Sequence, residues 1–218
     1  MSERMLAVAT RLFADRGFKA VSTREIAHRS GVTLSSLYHH FGDKRSLYVQ
    51  AHMREFSKSS ARLEAAIALG ANERQRLLSF TIELLRVLSE PGPLLKLVAR
   101  HWLDGDPAVV RYLAQATVPK QFGEVRAIIG KLVPQLNATA ATLSLYSLAH
   151  GLVTLRQFED SLPWQSGISR EPHAMAVFVL GRMVPEVDWP AELARLDEPR
   201  AGLRAAGRVR RSARGAAA

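Results

Sequence analysis

The stretch "STREIAHRSGVTLSSLYHHFGDK", residues 22–44, decides how this chain is read. Ser22 has an N-cap side chain, and Glu25 follows at capping-box spacing. Ile26 and Ala27 form the inward side of a short helix that Gly31 ends, because glycine tolerates the left-handed backbone that closes a helix. Thr33 caps a second short helix with Leu37 and Phe41 on its buried side. Gly42 ends that helix, and Asp43 caps the next. The small Ala27 lets the two short helices approach, and Val32 and Leu37 seal them against the preceding helix. The N-terminal half of the second helix is then exposed, with Thr33, Leu34, Ser35, Ser36, Tyr38 and His39 facing out.

Such a surface fits DNA. The B-form major groove admits one α-helix, whose N-terminal residues meet base edges. Ser35 and Ser36 are small enough to let the backbone come close, whereas Tyr38 and His39 reach further. Thr23 and Lys44, at the starts of the flanking helices, are placed to hold backbone phosphates. Metal binding is a poor alternative. Neighbours on a helix point about 100° apart, so His39 and His40 cannot chelate one ion as an i,i+4 pair does, and no His-Glu-x-x-His occurs. No metal, cofactor or catalytic residue is expected. The chain has no Gly-x-Ser-x-Gly, no phosphate-cradling glycine loop and no recognisable carboxylate pair. Asp104 and Asp106 read as turn and cap residues.

Composition agrees with a partner for one part of the chain. The 218 residues carry a net charge of +10, of which residues 1–50 hold +4, residues 195–218 hold +5 and the long middle +1. A basic end on a neutral body suggests a polyanion. There is no cysteine, which excludes disulfides and thiolate chemistry. No uninterrupted apolar run approaches the length of about 18 residues that spans a bilayer, and the N-terminus lacks a signal-peptide pattern, so a cytoplasmic protein is expected.

Outward from the opening stretch, the chain reads as all-α. Met5, Ala9, Leu12 and Phe13 stripe a helix over 3–16 that Gly17 ends. The Asp43-capped helix runs to about Leu69 with Ala51, Phe56, Leu63 and Ile67 on one side. Further helices are expected at 73–89, 93–103, 107–117, 119–133, 139–158 and 172–184. The pattern fades from Pro185, and the Arg-rich end holds too few large apolar residues to order itself.

"ATRLFADRGFKAVSTREIAHRSGVTLSSLYHHFGDKRSLY" resembles the N-terminal domain of the TetR family of bacterial transcriptional regulators. The features are Leu-Phe-x-x-x-Gly-Phe, Thr-x-x-x-Ile-Ala, Gly-Val-Thr and Leu-Tyr-His-His-Phe before Asp-Lys. The resemblance implies a helix-turn-helix DNA-binding domain over 1–48, a helical regulatory and dimerisation domain over 49–190, and an Arg-rich tail over 191–218, expected to be disordered. It implies a ligand-responsive regulator, a repressor, binding a palindromic operator in double-stranded DNA as a homodimer. Thr23, Thr33, Ser35, Ser36, Tyr38, His39 and Lys44 are the DNA-binding set it implies, with His40 as support. Leu34 stands where many relatives have a polar residue; it touches a thymine methyl or contributes nothing. Many relatives carry a basic arm before the first helix, so an upstream start or a missing arm is expected.

For pairing, Ser144, Ser147 and Gly151 form a small-residue strip on an almost wholly apolar helix, and Ala174, Val177, Phe178 and Gly181 offer another. In the resembled family these two helices build a four-helix bundle between subunits; apolar pattern alone also allows burial within one core. His101, Trp102, Tyr112, Phe122, Tyr146 and His150 are the ligand-pocket candidates, and each also suits an ordinary core. The alternatives are an architectural DNA-coating protein that uses its Arg-rich tail, and a helical small-molecule binder with a vestigial DNA-binding domain.

Overall fold

The computed structural model describes residues 1–104, 111, 119–163 and 166–196, with the side chains of 101–104, 119 and 157 left out of that description. The expected helix at 107–117, Tyr112, the side chains of His101 and Trp102, and the tail from 197 lie outside the described residues. The fold is all-α, with no strand among the described residues. In chain order the helices are α1 (Ser2–Ala20), α2 (Thr23–Ser30), α3 (Leu34–Phe41), α4 (Lys44–Ala68), α5 (Glu73–Ser89), α6 (Pro93–Asp104), α7 (Pro119–Leu132), α8 (Ala138–Thr154), α9 (Arg156–Glu159) and α10 (Pro172–Met183). They group into two compact units, one of Met1–Arg62 with Val87–Glu124, the other of Leu63–Arg86 with Val125–Ala218.

In the first unit the core is built by Met5, Ala9, Leu12 and Phe13 of α1, Ile26 and Ala27 of α2, Leu37 and Phe41 of α3, and Leu47, Tyr48 and Ala51 of α4. A distant residue joins it: Leu97 of α6 is fully buried in the same cluster. α6 also grips the end of α1 from outside. Lys96 Nζ donates to Asp15 Oδ1 at 2.6 Å, and the Arg100 guanidinium donates to the Asp15 carbonyl at 3.0 Å. The break expected at Gly17 is present as a non-helical residue (φ 77°, ψ 172°), beyond which helical residues continue to Ala20.

The second unit buries Leu77, Leu78, Phe80 and Leu85 of α5, Val125, Ile128 and Ile129 of α7, Leu145 and Ala149 of α8, and Met175, Val179 and Leu180 of α10. The folded chain runs further than the fading pattern after Pro185 suggests. Residues 189–196 are helical and bury Trp189, Glu192 and Leu196. Trp189 Nε1 donates to the Val184 carbonyl at 3.0 Å, and Glu192 accepts from Arg195 at 3.0 Å. One tryptophan and one paired carboxylate anchor this turn without making a periodic apolar stripe, which is why the pattern missed it.

Candidate nucleic-acid interface

α2 and α3 are held at defined ends. Ser22 Oγ accepts from the Glu25 amide at 3.1 Å. Only that half of the capping box forms, because the Glu25 carboxylate turns to Arg16 and Arg29 instead. The hydrogen bond from Arg16, aided by the charge of Arg29, holds the Glu25 carboxyl below the usual carboxylate range. At the turn, Gly31 adopts φ 66°, its amide bonds the His28 carbonyl, and the Val32 amide bonds the Ala27 carbonyl, both at 3.0 Å. This six-to-one and five-to-two pair closes α2 and needs a left-handed residue at position 31.

α3 starts at once. Thr33 Oγ1 accepts from the Ser36 amide at 3.1 Å. That cap uses the oxygen of Thr33 and leaves its hydroxyl hydrogen to donate outward. Leu37 and Phe41 are buried and fix the rotation of the helix. Ser35, Tyr38 and His39 are therefore exposed, while Ser36 is half-buried. Gly42 ends α3 at φ 75°, ψ −67°, and the Asp43 amide bonds the Phe41 carbonyl at 2.9 Å in a three-residue turn. Asp43 then caps α4 by accepting from the Ser46 amide at 2.6 Å, a bond that keeps its carboxyl acidic.

The phosphate-facing candidates are joined to this frame. The hydroxyls of Thr23 and Tyr38 are 3.0 Å apart, so the start of α2 and the middle of α3 share one hydrogen bond. Lys44 Nζ lies 4.4 Å from the centroid of the Phe18 ring, and partial burial pushes its pKa down. Two expectations need correction. Leu34 neither faces out nor idles: it is half-buried and packs on the core of the first unit. As the first residue of α3 it points back over the preceding turn. His40 is not support; it is exposed, with its ring 5.6 Å from His39 and 6.2 Å from Phe41.

The ligand and pairing candidates lie elsewhere. Phe122 is half-buried in the first unit, whereas Tyr146 and His150 sit one turn apart on α8 in the second. Tyr146 meets Phe80 edge to face at 5.9 Å, and burial pushes its phenol up. His150 Nδ1 lies 3.3 Å from Thr154 Oγ1, its Nε2 is buried with no hydrogen-bond partner among the described residues, and burial lowers its pKa. On α8, Ser144 and Ser147 are exposed and Gly151 half-buried, flanked by Leu143 and Leu148 at 55% and 41% exposure. On α10, Ala174 is exposed, and Val177, Phe178 and Gly181 are half-exposed. Among the described residues these faces are exposed or half-exposed. Among the described residues no three His, Asp or Glu side chains cluster as metal ligands, and no helix is long and apolar enough to cross a membrane.

The family described as bacterial regulatory proteins, tetR family, matches residues 5–51. A transcriptional repressor of Mycolicibacterium smegmatis, KstR2, is 43% identical over 54 residues, which is 25% of this chain and 26% of that protein. The chain spans between about a quarter and two-fifths of the curated relatives it matches first. Whole-chain likeness comes from solved structures. The regulator FadR of Bacillus subtilis, in complex with stearoyl-CoA, has a TM-score of 0.67 at 14% identity, covering 86% of this chain and 100% of that one. AibR in complex with isovaleryl coenzyme A and operator DNA has a TM-score of 0.64 at 18% identity, covering 84% and 97%. At these identities the likeness shows the fold. Residues 5–51 thus carry a DNA-binding segment of the kind found in the tetR family of bacterial regulatory proteins, set in a helical chain whose fold matches those solved regulators.

Proposed function

We propose that this protein is a ligand-responsive transcriptional regulator, a repressor, that binds a palindromic DNA operator as a homodimer in the cytoplasm. The observation that carries the reading is α3. A capped eight-residue helix is locked from behind by Leu37 and Phe41 and presents Ser35, Tyr38 and His39 to solvent. Those side chains suit groove edges and phosphates, with Thr33, Ser36, Thr23 and Lys44 completing the contact set. Residues 1–48 are the DNA-binding domain in this reading, and 49–190 regulate and dimerise. Residues in the first domain are similar to the repressors KstR2 and KstR, which favours repression, and also to an activator, FasR.

Dimerisation uses the uncovered faces of α8 and α10, where small residues let a second pair of helices come near. An effector bound in the helical body changes the spacing of the two α3 helices through its unequal affinity for two states. Acyl-CoA thioesters are the first class to try, since two fold neighbours hold them.

Selection of bound DNA from random and genomic pools tests the reading. The expected result is an inverted repeat whose half-sites are about one helical turn apart, roughly 10 base pairs. A pool with no enriched sequence would reject it in favour of non-specific coating.

A further inference from the structure

We propose that Phe18 is a positioning residue of the DNA interface, whose ring holds the Lys44 ammonium over the first turn of α4, ready for a backbone phosphate. The inference rests on the regulator reading and deepens it.

Lysine is a flexible tether, and a free ammonium must be ordered when it meets a phosphate. Lys44 is already placed, 4.4 Å from the centroid of the Phe18 ring, inside the range of about 6 Å over which a ring face attracts a cation. The ring itself is anchored. It stacks on Phe13 at 6.2 Å and meets Tyr48 at 5.1 Å, and both those residues are buried in the core. In an unbroken helix residues 13 and 18 would point about 140° apart. The positive φ of Gly17 breaks that register, and both rings reach Tyr48.

The choice of partner matters. Lys44 makes no ion pair among the described residues, although Asp43 is adjacent; that carboxylate is committed to the Ser46 amide. A carboxylate partner would neutralise the ammonium before DNA arrived. A ring face restrains it and leaves its charge uncompensated. The expected signature is therefore affinity that depends on Phe18 only while Lys44 is present.

The test uses the full chain and the duplex it enriches from a random-sequence pool, with binding followed by fluorescence anisotropy across a salt series. Phe18→Leu is expected to weaken binding about fivefold per half-site with the salt slope unchanged, since the charge remains. Lys44→Met is expected to lower the slope by about one per half-site. Phe18→Leu on top of Lys44→Met is expected to cost nothing more, and Phe18→Tyr is expected to bind as the wild type does. In the unmodified protein, NMR is expected to show the Lys44 ε-protons shifted upfield by the ring, compared with those of Lys19. An equal loss from Phe18→Leu in both backgrounds would reduce Phe18 to a core residue and overturn the inference. So would no loss at all, or ε-protons at the ordinary lysine position, a reading that needs no folded variant. A wild-type chain that enriches no duplex overturns the regulator reading, and this inference with it.

Discussion

Among the described residues, α3 and α8 each leave one side uncovered, and the two sides differ in chemistry. α3 exposes Ser35, Tyr38, His39 and His40, groups that donate and accept hydrogen bonds. α8 exposes Leu143 and Leu148, with the small hydroxyls of Ser144 and Ser147 beside them, a more apolar surface than that of α3. Each helix is fixed from behind: α3 by Leu37 and Phe41, α8 by Thr142, Leu145 and Ala149. Burial thus sets which face is presented, and the chemistry of that face selects the partner. A polar face on a short capped helix suits a groove lined with donors and acceptors. An apolar face with small residues suits another helix.

The sharpest way to break the comparison is to give α8 the polarity of α3. Leu143→Glu combined with Leu148→Glu is expected to leave each chain folded, because both side chains are exposed. In a dimer it would bury two unpaired carboxylates per subunit. At roughly 2 kcal/mol for each of the four, dimer dissociation is expected to rise on the order of a millionfold. Sedimentation of the variant as a monomer, with loss of cooperative operator binding, is the outcome to look for. An unchanged dimer would place the interface elsewhere.

Next in size is the support behind α3. Leu37 is fully buried, so Leu37→Ala is expected to lower the stability of the first unit by about 3 kcal/mol. DNA binding should fall with the folded fraction and recover at low temperature. Chemical denaturation followed by circular dichroism measures the first effect, and gel shift the second. A binding loss without a stability loss would mean that Leu37 does more than hold the helix.

The strength of that support was partly legible in the sequence. Caps at Ser22, Thr33 and Asp43 and breaks at Gly17, Gly31 and Gly42 are local signals, written within four residues of where they act. The apolar pair Leu37 and Phe41 follows from helical spacing alone. Leu97 is different. It lies 60 residues beyond Leu37, and an amphipathic stripe says that a helix is buried but not against what. The same holds for Lys96 and Arg100, whose grip on Asp15 has no local signature. Leu34 differs from its exposed neighbours because a first-turn side chain leans back onto the core, which helical spacing within α3 does not indicate.

The Thr23–Tyr38 hydrogen bond sharpens the polar side of the comparison. Tyr38→Phe and Thr23→Val each remove it and are each expected to weaken DNA binding by about 1 kcal/mol per half-site. If the pair acts as one unit, the double substitution is expected to cost little more than either single one. Additive losses in a salt-controlled titration would mean that the two hydroxyls contact DNA separately.

The smallest expected effect tests the buried side of α8. Among the described residues His150 has one ring nitrogen buried without a partner, and burial lowers its pKa from the ordinary value. Above about pH 6.5 the imidazole is neutral in the folded and the unfolded chain alike. Below it, the unfolded chain takes up a proton that the folded chain resists, so the unfolded state binds more protons. Stability contributed by His150 is therefore complete near pH 7.5 and declines as the pH falls towards 5.5. Replacing it, His150→Asn, is expected to reduce the drop in urea midpoint between those two values. A variant as pH-sensitive as the wild type would mean that protonated His150 finds a partner in the fold. The face of α8 turned inward would then be less dry than the burial of Leu145 and Ala149 suggests.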